Sequence, residues 1–273
     1  DLLDAAGVSA PQTWDELLVA ARHLTIHSSE PGWLERAGLA THNHVTYDGI
    51  YPLQVFVEQL GSSLFSADLR SPQFNTPEAR RALEFAQEMY QVAYPAGARP
   101  TSSFTNRGAA MHFWYSVGHA QPVLDLYSPD VLKSFRFMKI PGPTGPADQI
   151  GIMGGWGWAI NPDSPNPDDA WRIIAFLLSE EIQWRFLESF APGVLFGARR
   201  SMQYPADWPF YEDAMLMAVP PITTWGPVPP LFGEVINTAQ EPIYQAVKGE
   251  LPIGNALEEA QRLVTALFDS MPW

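Results

Sequence analysis

Apolar positions recur at helical spacing in several stretches of the chain and follow strand spacing in a few shorter ones, with clusters of proline, glycine and asparagine between them. Thr13-Trp14-Asp15-Glu16 forms a capping box. Leu17, Leu18, Ala21 and Leu24 follow on one face, so the spacing predicts a helix over about 14–25. Residues 37–42 read as a short buried strand, then a polar loop, then a helix over about 47–59 that ends at Gly61. Thr76-Pro77-Glu78 supplies a cap and a proline at the first helical position, and Ala79, Leu83, Ala86, Met89 and Tyr90 carry one apolar stripe to about residue 92.

Residues 104–116 read as a loop entering a buried strand with aromatic residues at its end. Alternation predicts strands over 135–140 and 150–160, neighbours across a turn-rich link of prolines and glycines at 141–146. Asn166-Pro167 starts a helix with the stripe Ala170, Ile173, Ile174 and Leu177, and Ser179 starts another with Ile182, Phe186 and Leu187. Helical patterns return at about 207–218, 231–248 and 254–270, with Pro242 kinking or dividing the second. This order describes an α/β protein whose sheet takes few strands from this chain.

With 273 residues, 46% of them apolar, the chain can bury a large core in one big domain or two. Sixteen basic against thirty acidic residues give a net charge of -14, which repels phosphate backbones and anionic lipid headgroups. Neither nucleic acid nor a membrane surface is an expected partner. There is no cysteine, hence no thiol nucleophile, disulfide or thiolate metal site. No run approaches the roughly 18 apolar residues that span a bilayer.

Motifs for covalent chemistry are missing. The sequence has no Gly-x-Ser-x-Gly elbow, no Gly-x-Gly-x-x-Gly after a strand and no phosphate-cradling Gly-x-x-x-x-Gly-Lys, and only three lysines. His42 and His44 fall on one side of an extended backbone, and His112 and His119 lie on another segment, which leaves open a metal-assisted hydrolase using His42, His44 and a carboxylate. A fourth ligand and the usual ligand spacing are lacking. Of the ten tryptophans, Trp14, Trp171 and Trp184 sit on amphipathic helices as core candidates. Trp156 is framed by Gly154, Gly155 and Gly157, Trp114 stands beside Tyr115, and Trp225 lies in a loop. Indoles with little local packing suit a ring-stacking site such as sugars offer through their C–H faces.

Gly7 to Leu17, with its Pro-x-Thr-Trp-Asp-Glu-Leu segment, resembles the carbohydrate-type extracellular solute-binding proteins of ABC importers (family 1, maltose-binding-protein-like). The likeness continues in order. It runs through the segment from Phe104 to Met111, through Gly154-Gly155-Trp156-Gly157-Trp158, through Ala170-Trp171 on to Gln183, and through Ala246 to Ala260. The resemblance implies a periplasmic-binding-protein-like two-lobe α/β fold of type II, without catalysis or cofactor. It further implies a mono- or oligosaccharide captured in an interlobe cleft and delivered to the permease subunits of an ABC transporter. A secreted, periplasmic or lipid-anchored monomer is the expected form, and a same-fold receptor for a non-sugar solute is the alternative.

In the family pattern the Pro-x-Thr-Trp-Asp-Glu-Leu helix comes after most of the first lobe, whereas here it starts at residue 14. The resemblance thus implies that roughly the first hundred residues of the pattern, the size of a small domain, are not in this sequence. Residues 1–134 and 179–273 are expected to form the second (C-terminal) lobe. Residues 135–178 are expected to be a strand-strand-helix portion of the first (N-terminal) lobe, with apolar surface and sheet edges left exposed. Carried over by position, the ligand-binding candidates are His44, Tyr47, Asp48 and Tyr51, then Trp114 and Tyr115, then Gly155 and Trp156, and the late-loop residues Trp225 and Arg199. Tyrosine and tryptophan faces would stack on pyranose rings, and Asp48 and His44 would exchange hydrogen bonds with hydroxyls.

Overall fold

The computed structural model describes residues 1–102, 104–113, 134–152, 157–190, 197, 199, 201–207, 210–217, 219–220, 222–223 and 228–271. In chain order, α1 (Leu2–Ala5) leads into α2 (Trp14–Leu24), followed by β1 (Ile26–His27) and β2 (Trp33–Ala40). A π-helical turn over Thr46–Ile50 runs into α3 (Tyr51–Gln59), and then come α4 (Pro77–Ala93), β3 (Arg99–Pro100) and β4 (Ala109–His112). β5 (Gly151–Ile152), α5 (Pro167–Leu177), α6 (Glu180–Phe190), α7 (Tyr211–Met217) and β6 (Ile222–Thr223) precede the closing helices α8 (Phe232–Val247) and α9 (Ile253–Asp269). These segments gather into two compact units. Unit 1 comprises Asp1–Trp114, Ile140–Ile150 and Thr223–Trp273, and unit 2 comprises Tyr115–Lys139 and Gly151–Ile222. Residues 140–150 thus group with 1–114, and residues 179–222 group with 151–178, a partition that differs from the lobe boundaries expected at 134 and 178.

The helix starts follow from their caps. Thr13 Oγ1 accepts the Glu16 N–H at 3.1 Å, while the Glu16 carboxylate accepts the Gln12 N–H at 2.7 Å, one residue further back than the usual capping box. Thr76 Oγ1 accepts the Ala79 N–H at 3.1 Å at the head of α4. Gly61, at φ 75, takes the left-handed conformation that ends α3.

β2 is the centre of unit 1's sheet. It pairs antiparallel with β1, parallel with β3, and parallel with β4 in the register Ala37↔Ala109, Leu39↔Met111 and Ala40↔His112. Strand pairing begins four residues before the expected position and stops at Ala40, so Thr41 and His42 lie past the ladder. Gly38 lets α2 lie directly on this strand, since a Cβ there would stand 1.7 Å from the Ala21 carbonyl oxygen. Trp14, buried on α2, stacks on Phe85 of α4 at 4.2 Å between ring centroids and meets Phe56 of α3 edge-on at 5.4 Å. Its indole N–H donates to Gln59 Oε1 at 3.2 Å, and Gln59 Nε2 donates to the carbonyls of Pro141 (2.9 Å), Asp148 (3.0 Å) and Ile140 (3.3 Å). One buried amide therefore ties residues 140–148 to the core. α8 and α9 bury Val235, Ile236, Ala239 and Ile243 and Leu257, Ala260, Val264 and Phe268 respectively. Pro242 is accommodated inside an unbroken α8.

Unit 2 packs less tightly. Asp213 of α7 is buried and accepts from Arg136 Nε at 2.8 Å and from the Phe137 N–H at 2.8 Å. This carboxylate bond raises the Arg136 pKa above its ordinary value. Of the expected α5 stripe only Ile174 is buried; Ile173 is exposed, and Trp171, expected in the core, is 60% exposed. Trp184 is half-buried beside Tyr204 at 5.5 Å. The strand expected over 135–140 reduces to a single bridge between Ile140 and Ile150, and of the strand expected over 150–160 only Gly151–Ile152 forms among the described residues, pairing with β6. Alternation marks a segment able to form a strand, but the ladder needs a neighbouring edge to bond. The apolar surface expected on 135–178 is present, with Trp158 67% exposed and Phe176 also exposed.

Candidate functional site

β2 and β4 run parallel and end level with each other, at Ala40 and His112. The C-terminal ends of parallel strands, where chains leave the sheet for loops, are the usual ligand position in open α/β sheets. Past β2 the chain turns at Asn43, whose φ of 51 puts it in the left-handed region that asparagine tolerates better than most residues. It then enters the π-helical turn, a local form that recurs at functional positions.

Asp48 organises this loop. Its Oδ1 accepts from the His42 N–H at 3.0 Å, and its Oδ2 accepts from Thr41 Oγ1 at 3.0 Å and from the His44 N–H at 3.1 Å. In return the Asp48 N–H donates to the His44 carbonyl at 2.9 Å. The side chain is only 2% exposed, and its burial raises the carboxyl pKa against the opposing pull of these bonds. Thr46 Oγ1 donates to Gln240 Oε1 of α8 at 2.6 Å, fastening the turn from behind.

Aromatic rings gather on the loop. Tyr47, 39% exposed, lies 4.9 Å from His42, 5.2 Å from His44 and 5.6 Å from Tyr51 by ring centroids. His42 also meets His112 edge-on at 5.0 Å, and His112 meets Phe104 at 5.6 Å. The Thr46 N–H donates to His44 Nδ1 at 3.2 Å, so in neutral His44 the ring proton is on Nε2. His112 Nδ1 lies 2.8 Å from the Phe113 carbonyl, which can only accept, and that nitrogen carries the proton. Burial raises the Tyr51 pKa. Between them these groups offer ring faces together with uncharged hydrogen-bonding groups.

Beneath the loop lies a polar cluster. Tyr94 Oη donates to the Thr41 carbonyl at 3.2 Å. The Asn43 amide satisfies both of its ends when its oxygen accepts from Arg99 Nη1 and Nη2, each at 3.2 Å, and its nitrogen donates to the Tyr90 and Tyr244 hydroxyls at 2.9 and 3.1 Å. Burial, first, and then the neighbouring Tyr90 hydroxyl push the Tyr244 phenol well above its ordinary range.

Four of the expected site residues, His44, Tyr47, Asp48 and Tyr51, are thus brought together, with the Asp48 carboxylate turned inward onto its own loop. Arg199 belongs to unit 2, where its Nε donates to the Leu178 carbonyl at the C-terminal end of α5. Trp114, Tyr115, Gly155, Trp156 and Trp225 lie outside the described residues. His42 and His112 were visible in the sequence as a metal-ligand possibility. Among the described residues no group of three or more histidine, aspartate or glutamate side chains is placed to hold a metal ion. The Asn43 cluster with Tyr90, Tyr244 and Arg99 had no local sequence signal, because its members are separated by up to two hundred positions along the chain.

The architecture is a mixed α/β periplasmic-binding-protein fold. Residues 1–184 match the family of bacterial extracellular solute-binding proteins, and the chain belongs to it. Solved structures agree over nearly its whole length. An ABC transporter solute-binding protein from Agrobacterium radiobacter K84, in complex with ribitol, is 25% identical with a TM-score of 0.77, covering 98% of this chain and 67% of its own. The sugar-binding protein MalE from Xanthomonas citri is 21% identical with a TM-score of 0.74 over 98% and 67%. A Thermotoga lettingae TMO solute-binding protein bound with alpha-D-tagatose is 20% identical with a TM-score of 0.70 over 98% and 68%. The chain therefore spans about two thirds of the length of these proteins. No curated protein gives a significant sequence match. Family membership makes this a solute-binding protein and not an enzyme, which removes the hydrolase alternative. No helix among the described residues is long and apolar enough to cross a membrane.

Proposed function

We propose that the chain is the receptor part of an ABC importer and that it captures a neutral, polyhydroxylated solute, a mono- or oligosaccharide, outside the bacterial cytoplasm for delivery to permease subunits. The observation that carries this reading is the ring platform of Tyr47, His44 and Tyr51 at the C-terminal ends of parallel strands. Aromatic faces suit the C–H faces of sugars, and imidazole and phenol groups suit their hydroxyls. Among the described residues the nearby cation, the Arg99 guanidinium, is engaged by Asn43, which disfavours an anionic solute at the platform. The sugar and polyol complexes of the structural relatives support the same class.

In this reading unit 1 corresponds to the second lobe of the family fold. Trp114, Tyr115, Gly155, Trp156, Trp225 and Arg199 complete the candidate contacts. A periplasmic or lipid-anchored location goes with it, as does action as a monomer. The test is a panel of sugars, polyols, glycerol phosphodiesters and short peptides, titrated calorimetrically against the intact protein. A sugar or polyol should bind, and Tyr47→Ala and Trp156→Ala should each weaken it roughly tenfold, as loss of one stacking face would. Binding confined to peptides or phosphodiesters would overturn the sugar reading.

A further inference from the structure

Asp48 stands out as a buried carboxylate that no cation neutralises: none of the ion pairs among the described residues involves it. Burying an unpaired charge is costly, and a carboxylate beneath a loop is a poor choice if packing alone were at stake. What it provides is acceptor capacity. Three donors from four consecutive residues, Thr41 Oγ1 and the N–H groups of His42 and His44, converge on its two oxygens, and its own N–H returns a bond to His44. Residues 41–44 have left the ladder of β2, and these bonds define their path together with those to the Thr41 carbonyl and the Asn43 amide.

We propose that Asp48 is a positioning residue, whose inward-facing carboxylate fixes the course of residues 41–47 and so sets how His44 and Tyr47 face a solute, at a cost to the stability of the fold. This rests on the reading of that ring platform as the solute site. An amide in its place would still accept from His42, and the Thr41 hydroxyl could reverse its bond and accept from the new N–H group. In that orientation the His44 N–H faces a donor; with the amide turned over, its oxygen accepts from Thr41 and His44 and the His42 N–H faces the donor instead, so either way one of these two backbone amides loses its acceptor. Asp48→Asn is therefore expected to be cheap for the fold and disruptive for one backbone amide, that of His42 or His44, whose rings both meet Tyr47.

The groups that face Asp48 constrain its titration. They are His42 on its own loop, Tyr94 just past the end of α4 acting through Thr41, and Tyr244 of α8, with Tyr90 of α4 and Arg99 of β3 held one step away on Asn43. Burial raises the Tyr94 and Tyr244 phenols further from the range in which a carboxyl titrates. A change in loop order that follows acidification in wild type and is absent from Asp48→Asn therefore belongs to Asp48.

The experiment compares wild type with Asp48→Asn in three readings: thermal midpoint, hydrogen-exchange protection of individual amides by NMR, and affinity for the solute found in the panel above. The expected result is a midpoint equal to or above wild type, protection lost at His42 or His44 while residues 79–93 keep theirs, and affinity reduced roughly tenfold. Wild-type protection at the same amide should also fall on acidification, a dependence absent from the variant. Unchanged protection and affinity overturn the proposal. So does a midpoint that drops together with protection throughout unit 1, which would make Asp48 an ordinary structural residue. If Asp48→Asn does not fold, Thr41→Val decides: it keeps the carboxylate and should leave the His44 protection in place. Failure of wild type to bind any solute while the variant still loses protection at His42 or His44 overturns the sugar reading and upholds the ordering of the loop by Asp48.

Discussion

α2 in unit 1 and α5 in unit 2 are both eleven-residue amphipathic helices with acidic first turns, yet they meet different fates. α2 buries Trp14, Leu17, Leu18, Ala20, Ala21 and Leu24 against β2, α3 and α4, whereas α5 buries Ile174 and leaves Trp171, Ile173 and Phe176 exposed. The periodicity of a helix states which face needs a partner; it does not state that the partner lies within the same unit.

The sharpest way to break this contrast is to disturb a close approach in unit 1. Gly38→Ala should destabilise by about 3 kcal/mol or more, because its Cβ would collide with the Ala21 backbone, whereas Gly157→Ala in unit 2 meets nothing and should stay within about 0.5 kcal/mol. Chemical denaturation followed by tryptophan fluorescence measures both. Next comes a pair of truncations: Leu83→Ala, at a fully buried position of α4, should cost about 2–5 kcal/mol, while Trp171→Gln should change stability by no more than about 0.5 kcal/mol. Equal losses at the two sites would mean that the exposed face of α5 is covered in solution. Gln59→Leu should cost about 2 kcal/mol, since the Trp14 N–H loses its acceptor and the carbonyls of Ile140, Pro141 and Asp148 lose their donor.

The smallest effect is on pH dependence. The folded-state pKa of Asp48 is raised, so its ionised form costs stability, in full above that pKa and not at all below the ordinary aspartate value. Across the interval between the two values, wild type should gain stability relative to Asp48→Asn as the pH falls. A difference that is flat, or that runs the other way, would show that the hydrogen bonds to Asp48 outweigh its burial.

Local chemistry made much of unit 1 legible. The caps at Thr13 and Thr76 and the stop at Gly61 are each decided within a few residues, and the helices begin and end where those residues direct. The platform was partly legible for the same reason, since His44, Tyr47, Asp48 and Tyr51 share one loop and the helix start after it. What escaped was direction. Whether Asp48 faces solvent or its own loop depends on Thr41, on the turn at Asn43, and on tyrosines contributed by α4 and α8. The strands expected over 135–140 and 150–160 escaped because alternation describes two faces and does not supply the edge that completes a ladder.

The level ends of β2 and β4 make the platform a matter of counting. With Ala40 opposite His112, a slip of one residue would bring Met111 or Phe113 to the place where His112 meets His42, and would turn every β4 side chain to the opposite face. An extra residue in the loop between β3 and β4 can be absorbed as slack, while one inserted within β4 would replace an imidazole at the rim with the thioether of Met111. This edge of the site tolerates changes of length where the chain is free and none where it is paired.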